Sequence, residues 1–329
     1  VRAVVLVGGF GTRLQPLTLG TPKQMLPIVG RPMIEHVVEY LYGHGVTEVI
    51  LSLGFAPDAF QSAYPDGHCS GVPIHYAIEP EPLDTAGAVR FAAESANIDE
   101  TFLVLNGDVL TDLDLKKLVS FHEETEAEAS IHLIPVEDPS RYGVVPTDEN
   151  GRVLGFIEKP TQGESPTNWI NAGTYVLEPS ILKEIELGRR VSIERELFPS
   201  LAAESKLYAF HSENYWIDTG TPITYLQAQL DLLEGGIRGS LNSGIDASAV
   251  IEGVVENSVI GAEVLVGKGA VVRESILLAG AKVNEGAFVS NSIVGFDSRI
   301  GARSEVVGLT VIGHGIAVTE DTKLDGMVL

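Results

Sequence analysis

Two hydrophobic patterns alternate over the first part of the chain. A short continuous apolar run occurs at 3–7, as expected of a strand buried on both faces of a sheet, and largely apolar segments at 49–53, 74–78 and 101–105 predict three more strands. Between them, residues 33–44 place Ile34, Val37, Val38 and Leu41 on one stripe, which predicts a helix. Residues 57–64 and the alanine-rich 85–95 predict two more. Strands alternating with helices predict an α/β domain with a parallel sheet, whose ligands collect beyond the carboxyl ends of the strands. The following stretch is less regular. It predicts a helix at 113–124, a strand at 129–135 and a hairpin around Asp148-Glu149-Asn150-Gly151, flanked by 144–145 and 153–158. A strand at 174–177 and a helix at 223–233 close the domain, which is expected to span 1–236 and end at Gly235-Gly236.

From about Ile245 the pattern changes to a repeat. Ile260, Val266, Val272 and Leu278 are six apart. After a one-residue slip come Val283 and Val289, and after a second come Val294, Ile300, Val306, Ile312, Val318 and Leu324. Small residues follow several of these, at Gly261, Gly267, Gly295, Gly301 and Gly313. An inward aliphatic every six residues beside a small one predicts a parallel β-helix over 244–329, with each coil burying the next one's aliphatics.

The bulk numbers narrow the partners. At 329 residues, 44% hydrophobic and 20% charged, the chain has the make-up of a soluble globular protein. A net charge of −23 argues against nucleic acid and anionic membranes, and requires local cations or a metal if the ligand is a polyanion. The single cysteine, Cys69, cannot form an intramolecular disulfide, which favours a reducing, cytoplasmic setting. Only five apolar residues separate Arg2 from Gly8, too few for a signal peptide, and no run reaches membrane-spanning length.

The chemistry concentrates after the first strand, in Gly8-Gly9-Phe10-Gly11-Thr12-Arg13. Three glycines in four positions let the backbone turn sharply and offer N–H groups to phosphate oxygens. Arg13 and Lys23 add a planar fork and a point charge, both suited to polyphosphate. The run is neither a GxxxxGK[ST] loop nor a GxGxxG fingerprint, because the third glycine of the latter is Leu14. Asn106-Gly107-Asp108 follows a buried strand, where a carboxylate can hold Mg²⁺, and Asp218 in Tyr215-Trp216-Ile217-Asp218-Thr219-Gly220 is the natural second ligand. Taken singly, each aspartate also fits a turn or cap. In Glu79-Pro80-Glu81-Pro82-Leu83-Asp84-Thr85-Ala86-Gly87, the prolines fit a helix start with Asp84 or Thr85 as N-cap. Glu158-Lys159 by itself fits a solvated ion pair.

GGFGTRLQPLT followed by PKQMLPIVGRPMIE resembles the signature of the sugar-nucleotide pyrophosphorylases, and the resemblance runs through the whole chain. It implies a Rossmann-like mixed sheet carrying nucleotidyl transfer, followed by a left-handed parallel β-helix. It implies nucleotide binding by Leu6, Gly8, Gly9, Gly11, Thr12, Arg13, Lys23, Glu79, Pro82, Thr85, Ala86 and Gly87. Asn106, Gly107, Gly143, Glu158, Lys159 and Asn171 would bind the sugar phosphate, and Asp108 and Asp218 the Mg²⁺. Arg13 would hold departing pyrophosphate, Lys23 the triphosphate and Lys159 the incoming phosphate. The pattern is nearest to members using GTP and mannose 1-phosphate. Uridylyl, thymidylyl or adenylyl transfer to glucose 1-phosphate, or a non-catalytic regulatory relative, stays open. Where the family reads PLGTAG, this chain has Asp84 in place of the glycine. Glu79 bears on the base, because a carboxylate can accept both N1–H and N2–H of guanine but opposes the carbonyls of uracil. The β-helix has no evident chemistry and is expected to serve homo-oligomer assembly or regulation. His314 has no companion polar cluster and is expected at a coil corner rather than in acyl transfer.

Overall fold

The computed structural model describes residues 1–161, 163–235 and 244–329, so the domain end expected at Gly236 lies outside the described residues. Two compact units are present, Val1–Gly9 with Val37–Trp216, and Phe10–His36 with Ile217–Leu329.

The first unit is built on a sheet. Strands β1 (Ala3–Leu6), β2 (Val49–Leu53), β3 (Val72–Ile78) and β4 (Phe102–Asn106) are parallel. They lie in the order β4-β1-β2-β3, so their carboxyl ends share one edge. Every residue of β2 is buried, including Ser52 in an otherwise aliphatic strand. The sheet is mixed rather than purely parallel. Beyond β4, the strand β6 (Trp169–Leu177) runs antiparallel, and it also pairs with the antiparallel β5 (Ala129–Pro135). A further strand, β7 (Leu207–His211), lies parallel to β5. The hairpin around Asp148 forms as expected, although its pairing reduces to the Thr147–Val153 bridge and Gly143–Val144 against Ile157–Glu158. Helix α1 (Asp84–Ser95) packs on β1 and β2 through Ala86, Val89, Ala92 and Ala93, small side chains that let a helix lie close to a sheet.

In the second unit, the helix Pro222–Leu233 starts at a capping box made by Thr221 and Thr224. The remaining chain forms three stacks of short parallel strands, a β-helix. Leu265 pairs with Lys282 and Lys282 with Arg299, so a coil here takes 17 residues, one short of three six-residue turns. That missing residue is the slip in the repeat. The first slip falls earlier than the spacing suggests: Leu277, not Leu278, stacks between Ile260 and Val294 in the aliphatic core, while Leu278 is buried beside it. No helix among the described residues is long and apolar enough to cross a membrane.

Candidate active site

The carboxyl edge of the first unit's sheet gathers the residues singled out in three separate loops. Gly8 follows β1, Gly54 follows β2, Glu79 follows β3, and Gly107-Asp108 follows β4. Glu79 is fixed by two bonds, one carboxylate oxygen accepting from the Ser52 hydroxyl at 3.1 Å and the other from the Leu83 N–H at 3.0 Å. A Cβ on Gly8 or on Gly54 would lie 3.6 Å from a Glu79 oxygen. The carboxylate therefore stands over the bare backbone at the ends of β1 and β2. Each of its oxygens keeps a further acceptor position.

Gly107 is clamped to the end of β1. Its N–H donates to the Leu6 carbonyl at 2.9 Å, and a Cβ there would come within 2.6 Å of Val7 Cγ1. Asn106 lies against Gly173, whose φ of +75° and 2.4 Å Cβ clearance to the Asn106 amide admit only glycine without displacement. Asp108 is half-buried beside them.

Asp84 adopts φ +59°, the left-handed conformation that a glycine would take. Aspartate tolerates this region better than most residues, so the loop keeps a glycine-like path despite the departure from PLGTAG. Neither Asp84 nor Thr85 is the N-cap; that position is Leu83, with no side-chain cap. Thr85 instead donates its hydroxyl to Glu194 at 3.0 Å and accepts from the Ile193 N–H at 2.7 Å. The N–H groups of Ala86 and Gly87 go to the Val191 carbonyl, and a Cβ on Gly87 would meet the Arg189 carbonyl at 2.6 Å. These three residues tie the helix start to 189–193, and their N–H groups are not presented to a ligand.

Glu158 and Lys159 form an exposed ion pair at 3.4 Å, and the Lys159 N–H donates to the Tyr142 carbonyl at 3.0 Å. Gly143 pairs with Glu158 across the short ladder, where a Cβ would lie 3.2 Å from the carboxylate. The Asn171 amide turns inward, donating to the Tyr175 hydroxyl and accepting from the Gly173 N–H, both at 2.9 Å. Burial first, and then the Glu194 carboxylate, hold the Tyr175 hydroxyl well above its ordinary pKa, so it stays protonated.

In the second unit, the signature loop makes its own frame. Gly11 has φ +62°, and a Cβ would come within 2.9 Å of Thr18 and 3.3 Å of the Lys23 stem. The Thr18 hydroxyl donates back to the Gly11 carbonyl at 2.8 Å. Thr12–Leu14 forms a single 3-10 turn. Lys23 is 9% exposed, whereas the Arg13 side chain is 63% exposed and open to an anion. Arg13 lies 3.7 Å from an Asp218 oxygen, the other oxygen accepting from the Gly220 N–H at 2.8 Å. A Cβ on Gly220 would sit 2.5 Å from the guanidinium, so this glycine makes room for Arg13. Sequence reasoning gave no role to Ser52, Gly54, Thr18 or Gly220; Gly54 directly follows a strand end and Gly220 closes the motif around Asp218, which was a usable signal.

No group of three or more His, Cys, Asp or Glu side chains among the described residues could hold a metal unaided. Asp108 and Asp218, one in each unit, are carboxylates of the chemical type that a hard divalent cation takes. Such an ion takes oxygen ligands and completes its shell with water and substrate phosphates.

In an open α/β sheet, a glycine-lined carboxyl edge is where ligands such as nucleotides bind. The chain belongs to the nucleotidyl transferase family, whose model matches residues 2–235, and the GMPPB C-terminal domain model matches 240–329. Members of this family generally use a divalent metal. The chain is 39% identical over 294 residues to the mannose-1-phosphate guanylyltransferase of Mycobacterium tuberculosis, covering 86% of this chain and 81% of that one. It is 37% identical to mannose-1-phosphate guanylyltransferase 1 of Arabidopsis thaliana, covering 100% and 95%. The crystal structure of HddC from Yersinia pseudotuberculosis complexed with GMP-PN matches at 32% identity and a TM-score of 0.59, over 69% of this chain and 97% of that one.

Proposed function

We propose that this chain transfers GMP from GTP to mannose 1-phosphate and releases pyrophosphate. The observation that carries the reading is the fixed Glu79 carboxylate over Gly8 and Gly54, in a chain whose full-length relatives are guanylyltransferases. A phosphate oxygen of the sugar phosphate attacks the α-phosphorus in line; the new O–P bond forms as the bond to the β-phosphate oxygen breaks. The attacking oxygen is already anionic, so no general base is required and catalysis reduces to positioning and charge neutralisation.

In this reading, Glu79 accepts guanine N1–H and N2–H, and the N–H groups of the 8–12 loop face the triphosphate. Arg13 holds the departing pyrophosphate, Lys23 the triphosphate and Lys159 the incoming phosphate. Glu158 and Asn171 meet sugar hydroxyls. When bound on Asp108 and Asp218, Mg²⁺ would neutralise charge on the reacting phosphate oxygens. The Arg13–Asp218 pair would then be exchanged for contacts to substrate and metal. Residues 1–236 form the catalytic domain, and the β-helix of 244–329 serves assembly of a homo-oligomer. A monomer mass by light scattering on the full chain would rule out that assembly.

Pyrophosphate release measured across four nucleoside triphosphates and several sugar 1-phosphates tests the substrate assignment. GTP with mannose 1-phosphate should turn over fastest. Glu79→Gln should lose most of a roughly 30- to 150-fold GTP preference and gain use of UTP. A parent that prefers UTP or dTTP overturns the guanylyl reading, and a mutant as selective as the parent removes Glu79 from it.

A further inference from the structure

His314 lies on the β-helix, and its imidazole makes two bonds that fix its state. Its Nδ1 faces the Phe296 N–H at 3.0 Å, and its Nε2 faces the Leu17 carbonyl at 2.8 Å. A backbone N–H can only donate, so Nδ1 is the acceptor; a carbonyl can only accept, so Nε2 carries the proton. The bonds therefore specify the neutral Nε2–H tautomer. The ring also packs on Phe296, with centroids 4.8 Å apart. The space is made by glycine, since a Cβ on Gly295 would lie 2.8 Å from Nδ1. Gly313 completes the seat, where a Cβ would come within 3.0 Å of Pro16.

Leu17 closes the turn that carries Arg13. Its N–H donates to the Leu14 carbonyl at 3.0 Å, and the Leu14 N–H to the Gly11 carbonyl at 2.9 Å. Leu14 and Leu17 are both fully buried, and Thr18 bonds back to Gly11. Arg13 thus sits on a chain of hydrogen bonds whose far end is held by a side chain 297 residues away in sequence. His314 and Leu17 lie in one compact unit.

We propose that His314 is a positioning residue for nucleotidyl transfer: by holding the Leu17 carbonyl, the β-helix fixes the loop that presents Arg13 to the triphosphate. The proposal rests on the reading of that loop as the nucleotide site. It gives the β-helix a part in catalysis through contact within the same chain, separate from any assembly role.

The two ring nitrogens allow a test that separates positioning from β-helix stability. His314→Asn keeps an acceptor near Nδ1 for the Phe296 N–H but cannot reach Leu17. His314→Gln extends an amide donor to the Leu17 carbonyl. Hydrogen exchange by mass spectrometry on the full-length protein should show faster exchange in peptides covering 10–19 for His314→Asn, with the other β-helix peptides unchanged. Its KM for GTP should rise by about tenfold, and His314→Gln should restore both readouts to within about twofold of the parent. Unchanged exchange at 10–19 in His314→Asn, or a His314→Gln variant as impaired as His314→Asn, overturns the proposal. If the parent itself turns over no GTP, the functional reading fails, while the exchange experiment still decides whether His314 holds the loop.

Discussion

The α/β sheet and the β-helix bury polar groups in opposite ways. In the sheet unit, the buried polar side chains include imidazoles as well as hydroxyls. His122 bonds to Ser130 at 2.9 Å and Glu178 at 3.1 Å, and His132 bonds to Ser212 at 2.8 Å. In the β-helix, the buried polar side chains among the described residues are hydroxyls alone. Ser258, Ser275 and Ser292 stack one coil apart, Ser258 and Ser275 each accepting the next serine's N–H at 3.1 Å. A repeating backbone asks the same question at every coil, so one residue type answers it. A catalytic sheet edge must meet phosphate, sugar and base separately, and that requires variety.

The largest effect should come from the loop proposed to serve the chemistry. Arg13→Ala is expected to cut turnover about a hundredfold, about 3 kcal/mol of transition-state stabilisation, with little change in thermal unfolding. Pyrophosphate-release kinetics check this, and a variant retaining a third of parental turnover removes Arg13 from the mechanism.

Acid should then distinguish the two cores. Burial pushes the His132 imidazole down to about 4, and its Nδ1 has no hydrogen-bond partner among the described residues. The native ring is neutral, and the unfolded chain takes up the proton first, as pH falls below about 6.5. Stability contributed by His132 is therefore complete above pH 6.5, is lost progressively down to pH 4, and totals about 3 kcal/mol. Both tryptophans, Trp169 and Trp216, lie in the sheet unit. Urea unfolding followed by their fluorescence should show the loss between pH 7 and pH 4, and His132→Gln should flatten it.

The serine ladder offers a neutral counterpart. Ser275→Ala removes the acceptor for the Ser292 N–H and the donor to the Arg273 carbonyl. Leaving such groups buried and unpartnered costs about 2 kcal/mol, with no dependence on pH between 4 and 7. Far-UV circular dichroism on heating should register this loss. A smaller effect is expected at the metal. Asp108→Asn and Asp218→Asn should each raise the Mg²⁺ requirement about tenfold, and the double variant by less than the product. An unchanged Mg²⁺ titration in either single variant excludes that residue as a ligand.

Much of the fold was legible because its elements announce themselves locally. The strands Val49–Leu53 and Ala129–Pro135 match the expected bounds residue for residue. The turn from Ile193–Leu197 into the helix Phe198–Ala203 was not visible, since Pro199 interrupts the helical pattern and the first turn is a π-helix. The strand Leu207–His211 was also passed over. Within the candidate site, the glycines and charged residues could be named from sequence. Their partners could not, because Glu79 meets Ser52 and Gly8 only once parallel strand ends are aligned, and His314 meets Leu17 only in the folded unit.

The coil length, 17 residues from Leu265 to Lys282 and 18 from Arg299 to Ala317, also sets which changes of length the molecule can absorb. Inserting or removing one whole coil keeps every aliphatic in register, because each coil pairs only with its neighbours. Position along the rod is not neutral, however. A coil added ahead of Phe296 would carry His314 about 4.8 Å along the stack, well beyond reach of the Leu17 carbonyl. A coil added after Gly315 would leave it in place. The β-helix therefore works as a ruler with one fixed mark, and lineages that lengthen it should do so beyond that mark.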